Sequence, residues 1–190
     1  MEKNKISADE ALNLLVKGNE QYMIDKECVD TNSDIRELLT AGQAPYAIVL
    51  SCADSRVVPE SIFDANAGQI FVVRVAGNIA NTSSIASIEY AVAHLGTKLI
   101  MVLGHESCGA VGAALAGGDN GYNLNHLLAH IAPAISQSTD KAVNSVVKKN
   151  AQLNAQELAS RSQIISGALN DGLKIVSGFY NLKSGKVDIL

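Results

Sequence analysis

Lys98-Leu99-Ile100-Met101-Val102-Leu103-Gly104-His105-Glu106-Ser107-Cys108-Gly109 is the stretch that decides the fold. A short apolar run of strand composition stops at an imidazole and a thiol, with Gly104 and Gly109 on either side. Ile48-Val49-Leu50-Ser51-Cys52-Ala53-Asp54-Ser55-Arg56 repeats the pattern upstream, an apolar run ending at Cys52, Asp54 and Arg56. In an open parallel sheet ligands bind at the carboxyl ends of strands, so two strand ends distant in sequence can supply one site. Two thiols and an imidazole suit zinc. Structural zinc sites usually close with four Cys or His ligands, whereas three protein ligands leave a position for water. The count favours chemistry over scaffolding.

Working outward, Tyr46 to Ser51, Gln69 to Val75 and Lys98 to Leu103 read as buried strands. The connecting helices are Val57 to Asp64, with Pro59 in a first turn, and Thr82 to Leu95; Ala76-Gly77-Asn78 turns the chain between them. Strand, helix, strand in that rhythm predicts a right-handed parallel α/β sheet. Cys108 to Ala116 is a helix opening directly at the site. Leu124 to Ser136 and Lys141 to Leu169 are helical patterns, the second too long to be unbroken in a small domain. Leu173 to Tyr180, Asn181 to Gly185 and Lys186 to Ile189 read as strand, turn and terminal strand.

At the other end, Ser7-Ala8-Asp9-Glu10 is a capping box that starts a helix near Ala8. Ala11, Leu12, Leu14, Leu15 and Val16 give it an apolar stripe, and it extends towards Tyr22 and Met23; Ile35 to Leu39 is a shorter helix. The predicted fold class is therefore α/β, a mostly parallel central sheet flanked by helices with an additional C-terminal strand. It is a single domain over residues 1–190, with residues 1–34 as an N-terminal helical arm. Such an arm can pack on its own domain or on a second copy. Detached, it would expose Leu12, Leu15 and Val16, so a homodimer using the arm is expected.

Composition narrows the function. The 190 residues are 47% hydrophobic and 18% charged, enough for one real core. A net charge of −4 offers no basic stripe for nucleic acid. No run approaches the roughly 18 apolar residues of a membrane helix, and Met1-Glu2-Lys3-Asn4-Lys5 leads into an amphipathic stretch, so a cytoplasmic protein is expected. Three cysteines do not make a disulfide framework, and Cys28, in a polar segment, reads as a bystander. His126 and His130 share the i, i+4 spacing of a metal pair, but no Glu follows His126 and no third ligand is evident, so they read as an exposed pair.

Cys52-Ala53-Asp54-Ser55-Arg56 together with Gly104-His105-Glu106-Ser107-Cys108-Gly109 resembles the β-class carbonic anhydrases. The resemblance extends through Phe71-Val72-Val73-Arg74, Ser87-Ile88-Glu89-Tyr90-Ala91 and Gly172-Leu173-Lys174-Ile175-Val176, covering roughly residues 7 to 190. It implies one zinc ion held by Cys52, His105 and Cys108, and reversible hydration of carbon dioxide to bicarbonate and a proton. It further implies that the Asp54 carboxylate accepts a hydrogen bond from the water on the metal while Arg56 holds Asp54, a grip that a planar guanidinium makes bidentately. Gln43, Phe71 and Tyr90 match the substrate-pocket residues of the plant-like branch of the family; Ala76 stands where that branch often has valine, and Gly109 adjoins the same pocket. The expected assembly is a dimer or a dimer of dimers.

The resemblance leaves alternatives on the same zinc site: a hydrolase of carbonyl sulfide or carbon disulfide, or a non-catalytic zinc or bicarbonate-binding protein in which Asp54 fills the fourth position. Some family members close the site in that way, with a tryptophan three residues before the first cysteine. Here that position is Val49, the chain has no Trp, and Gln43 matches the open branch. Asp54 is therefore expected on Arg56, and Arg74 in a structural ion pair.

Overall fold

The structure, a computed structural model, describes residues 6–26 and 29–190; Cys28 and the first five residues lie outside that range. Among the described residues no helix is long and apolar enough to cross a membrane. Strands β1 (Ala47–Ser51), β2 (Ile70–Arg74), β3 (Leu99–His105), β4 (Lys174–Tyr180) and β5 (Val187–Ile189) form one sheet in the order β2-β1-β3-β4-β5. The pairings among the first four are parallel, and β5 runs antiparallel to β4. Every residue of β1 and β3 is buried, which is why both sequences are continuous apolar runs rather than alternating ones.

Successive residues of these strands feed opposite layers. Ala47, Val49, Met101 and Leu103 pack with Ala11, Leu15 and Phe63, under helices α1 (Ala8–Met23) and α3 (Pro59–Ile62); α2 (Ser33–Leu39) lies between these in sequence. Ile48, Leu50, Ile100 and Val102 pack with Ile88, Leu95, Leu158 and Ile165. This second layer comes from α4 (Thr82–Tyr90) and its π-helical continuation Ala91–Leu95, and from α8 (Val143–Arg161) and α9 (Gln163–Leu169). Helices α5 (Gly109–Ala116), α6 (Tyr122–Ala129) and α7 (Ala132–Gln137) complete the chain.

From β1 the chain goes to β2 on one side and then returns to β3 on the other, so a crevice opens between the carboxyl ends of β1 and β3. Helix α8 crosses β3 beside that crevice. A Cβ on Gly104 would stand 2.7 Å from Val147 Cγ1, so the residue before His105 is glycine because α8 lies on top of it.

The structure departs from expectation in instructive places. β3 continues two residues past Leu103 because Gly104 and His105 pair with Phe179 and Tyr180 of β4. The pattern Leu124 to Ser136 divides into α6 and α7, with Pro133 in the first turn of α7. The long C-terminal pattern breaks at Ser162, whose backbone is extended and whose hydroxyl caps α9 by accepting the Ile165 amide at 3.1 Å.

The detached arm is corrected. Of the three residues expected to be exposed in a single copy, Leu15 is fully buried against the chain's own core and Leu12 packs there partly buried, whereas Val16 stays exposed. Asn19 fastens α1 to both ends of the fold: its amide donates to the Ile62 carbonyl (3.1 Å) and the Gly185 carbonyl (2.8 Å), and its oxygen accepts the Val187 amide (2.8 Å). A Cβ on Gly18 would fall on the Phe63 carbonyl. Gly18→Ala should therefore cost about 1–3 kcal/mol by overpacking. Gly167→Ala, on an exposed helix position with open space around it, should gain about 0.5–1 kcal/mol. Urea unfolding midpoints of the two variants check the contrast.

Candidate metal centre

Cys52 is the first residue after β1, His105 the last of β3 and Cys108 the residue that opens α5. All three are buried and their ligand atoms lie within 4.8 Å of one another, close enough for one ion with bonds of about 2.0–2.3 Å after small side-chain adjustments. No other such group of three occurs among the described residues. His105 Nδ1 lies 3.0 Å from the Glu106 carbonyl, so Nδ1–H donates there and the lone pair falls on Nε2. That Nε2 is buried and has no hydrogen-bond partner. A buried ring nitrogen with its tautomer fixed from behind is the arrangement a metal ligand requires, and two sulfurs complete a donor set suited to zinc.

Cys52 Sγ accepts the backbone N–H of Asp54 and of Gly77, each at 3.4 Å. The Cys108 thiol beside it is the main influence holding Cys52 below the ordinary thiol range, and the same contact, with burial, pushes Cys108 up.

Asp54 turns away from the sulfurs to Arg56. Arg56 Nε donates to Oδ1 (2.9 Å), Nη2 to Oδ2 (2.7 Å) and the Arg56 amide to Oδ1 (3.0 Å). These side-chain hydrogen bonds are the main cause holding the carboxyl well below the usual range. Asp54 Oδ2 stands 3.8 Å from His105 Nε2, so the carboxylate flanks the metal position. Among the described residues Arg74 makes no ion pair of the expected kind; it donates to the backbone carbonyls of Cys52 (3.1 Å) and Asp54 (2.7 Å), bracing the turn from below.

The second turn is strained. Ser107, between the two ligands of the His-x-x-Cys segment, has φ 54°. Its amide donates to Asn144 Oδ1 (2.9 Å), and its carbonyl accepts from Arg56 Nη2 (3.4 Å). Asn144 and the Gly77 amide act through or upon the backbone, which is why residue types alone did not single them out, and for the same reason Arg74 was expected on a carboxylate rather than on carbonyls.

Ala76 and Gly109 lie beside the centre, next to the Gly77 amide and to Cys108 respectively, and a Cβ on Gly109 would meet nothing within 4 Å. Within one chain Gln43, Phe71 and Tyr90 do not reach it. Gln43 precedes β1 at its amino end and lines a surface hollow with Leu39, Gly42 and Gly68. Phe71 pairs with Ile48, four residues before Cys52, and its ring lies 6.3 Å from that of the half-exposed Tyr90. The rings of His126 and His130 lie 5.5 Å apart beside Glu157 and Arg161, away from the centre.

Residues 47–187 match the family model described as carbonic anhydrase. Carbonic anhydrase 2 of Mycobacterium tuberculosis is 37% identical over 96% of this chain and 91% of its own length. Among solved structures, a β-carbonic anhydrase of Aspergillus fumigatus superposes with TM-score 0.75 at 28% identity, covering 83% of this chain and 80% of that one. A β-carbonic anhydrase of Sordaria macrospora, described as tetrameric, gives TM-score 0.76 at 25% identity over 95% and 97%.

The strained turn yields a direct test. Ser107→Gly should leave stability unchanged or higher, whereas Ser107→Val should lose about 1–2 kcal/mol, because a left-handed residue with a branched Cβ is strained. Chemical unfolding of both variants measures it.

Proposed function

The chain belongs to the β-class carbonic anhydrase family and catalyses the reversible hydration of carbon dioxide, and we propose that it does so at one zinc held by Cys52, His105 and Cys108. The observation that carries this assignment is the buried, partnerless His105 Nε2 converging with two sulfurs beside a bidentate Asp54–Arg56 pair. Zinc there supplies Lewis acidity, which lowers the pKa of bound water from about 15.7 to near 7 and so provides a nucleophile at neutral pH. The protein supplies the rest.

Two sulfurs neutralise much of the ion's charge, and the amides of Asp54 and Gly77 draw part of that charge back from Cys52. Asp54, kept ionised by Arg56, is the anionic acceptor that orients the proton-bearing partner at the open coordination position. With both oxygens engaged by Arg56 it is not placed to fill that position itself. This supports the open, plant-like branch over a permanently closed, non-catalytic site. Ala76 and Gly109 are the pocket residues next to the metal.

Gln43, Phe71 and Tyr90 are assigned to a pocket completed by a second copy. The half-buried edge strand β2 and the exposed ring of Tyr90 lie together on one border of the molecule, and a tetrameric relative supports a dimer or dimer of dimers. A centre that needs reduced cysteines fits a cytoplasmic location.

Stopped-flow carbon dioxide hydration by the zinc-loaded protein tests the assignment. Cys52→Ser and Cys108→Ser should lose zinc, read by metal analysis, because a hydroxyl replaces a thiolate poorly. Asp54→Asn and Arg56→Ala should keep zinc and lose about 10- to 100-fold in activity. Equal activity in Asp54→Asn at every pH would refute its role. Light scattering should give at least twice the 19.9 kDa chain mass, and Tyr90→Ala should reduce activity without zinc loss.

A further inference from the structure

Helix α8 carries three asparagines that reach the turns around the metal centre. Asn144 accepts the Ser107 amide. Asn150 Nδ2 donates to the Gly77 carbonyl at 2.8 Å. Asn154 Oδ1 accepts the Ala80 amide at 2.6 Å, while its Nδ2 donates to the Asn150 carbonyl (2.8 Å) and to Asn150 Oδ1 (3.0 Å). Two helical turns further, Arg161 Nη1 donates to the Ala80 carbonyl at 2.6 Å.

Asn150 and Asn154 are only 1% and 4% exposed. Asparagine is a poor residue for a helix interior, and a buried amide is costly unless its donors and acceptor are used. An alanine or leucine would serve the packing of α8 at lower cost, so the pair has to be offset by what it holds. What it holds is a turn of unfavourable backbone: Gly77 and Asn78 both have left-handed conformations, φ 71° and 44°. The Gly77 amide is one of the two donors to Cys52 Sγ. Because Asn154 donates to Asn150 Oδ1, the Asn150 amide is oriented with its nitrogen towards the Gly77 carbonyl.

We propose that Asn150 and Asn154 are positioning residues for the metal centre: they fix the Ala76–Ala80 segment so that the Gly77 amide stays on the Cys52 sulfur. The proposal rests on the reading of Cys52 as a zinc ligand. A hydrogen bond to a coordinated sulfur withdraws charge that would otherwise reach the metal. When the turn relaxes, Cys52 donates more strongly, and the metal becomes a weaker Lewis acid.

The test compares Asn150→Ala and Asn154→Ala with Leu158→Ala, a fully buried position on the same helix that packs in the layer of Ile48 and Ala80 and makes no hydrogen bond to the turn. Full-length protein is loaded with zinc or with cobalt(II). The two asparagine variants should hold zinc about 10- to 100-fold more weakly against a chelator, because Cys52 is no longer held in place before the metal arrives and this loss outweighs the stronger donation of its sulfur. Their sulfur-to-cobalt charge-transfer absorption should move to lower energy, and their hydration pH profile should shift to higher pH. Leu158→Ala should lose thermal stability with both signatures unmoved.

Asparagine variants that lose stability but keep the parent's absorption and pH profile would overturn the proposal. So would a Leu158→Ala variant with the same spectral shift. If Asn150→Ala does not fold, Asn150→Ser and Asn154→Ala carry the same measurement. A parent protein that binds cobalt without any sulfur absorption would refute the zinc reading, and the proposal with it. A parent band that none of the asparagine variants moves refutes the proposal alone.

Discussion

His105 Nε2 is a ring nitrogen in a fully buried side chain with no hydrogen-bond partner, and the surrounding structure is arranged around satisfying it. An unpaired buried polar atom costs about 1–3 kcal/mol, so a fold retains one where something outside the chain completes it. Here the completing group must reach two sulfurs at the same point. Three side chains can converge there because two adjacent parallel strands end together. The pairing of β1 with β3 aligns Ser51 with Leu103, leaving Cys52 and His105 to project past the same edge. A strand order that diverges from β1 in both directions opens the crevice in which they meet.

That placement demands rigid support, because a ligand that drifts by a fraction of an ångström changes the metal's coordination. The support comes from backbone groups held by long polar side chains. Arg74 grips the carbonyls on either side of Ala53, Asn144 holds the left-handed Ser107, and Asn150 with Asn154 holds the turn bearing the Gly77 amide. Gly104 lets α8 come close enough for these contacts, since any side chain there would meet Val147. The helix that covers the sheet is thereby also the outer wall of the centre.

Much of this was legible in residue types, and the boundary of legibility has a physical cause. Cys52, His105 and Cys108 were readable because few residues offer soft donors and each sits at the end of an apolar run. The pairing of Asp54 with Arg56 came from the family resemblance, and the structure contains it as a two-pronged contact between side chains two residues apart in a turn. The bracing by Arg74, Asn144, Asn150 and Asn154 was not readable, since their partners are carbonyls and amides common to every residue. The docking of α1 was undecidable for a different reason: an apolar stripe looks the same whether it packs on its own core or on a neighbour's. Asn19, whose amide spans Ile62, Gly185 and Val187, decides it, and nothing in its own neighbourhood of the sequence announces those partners. Gln43, Phe71 and Tyr90 mark the opposite limit, where family likeness names pocket residues that a single copy does not bring to its own centre.

The charges around the centre also bear on turnover. On the proposed zinc assignment two thiolates would balance a divalent cation; Asp54 is balanced by the two-pronged grip of Arg56, and Arg74 directs its guanidinium to carbonyls at the back of the turn. With zinc bound, the pocket therefore carries almost no net charge. A cationic pocket would hold a product anion tightly and slow its exchange, since attraction between unit charges rises steeply as the local dielectric falls. The same balance explains why Asp54 needs Arg56 so close: a free carboxylate beside a divalent ion is drawn to it as a ligand. The bidentate guanidinium of Arg56 is the competing partner that engages both oxygens of Asp54.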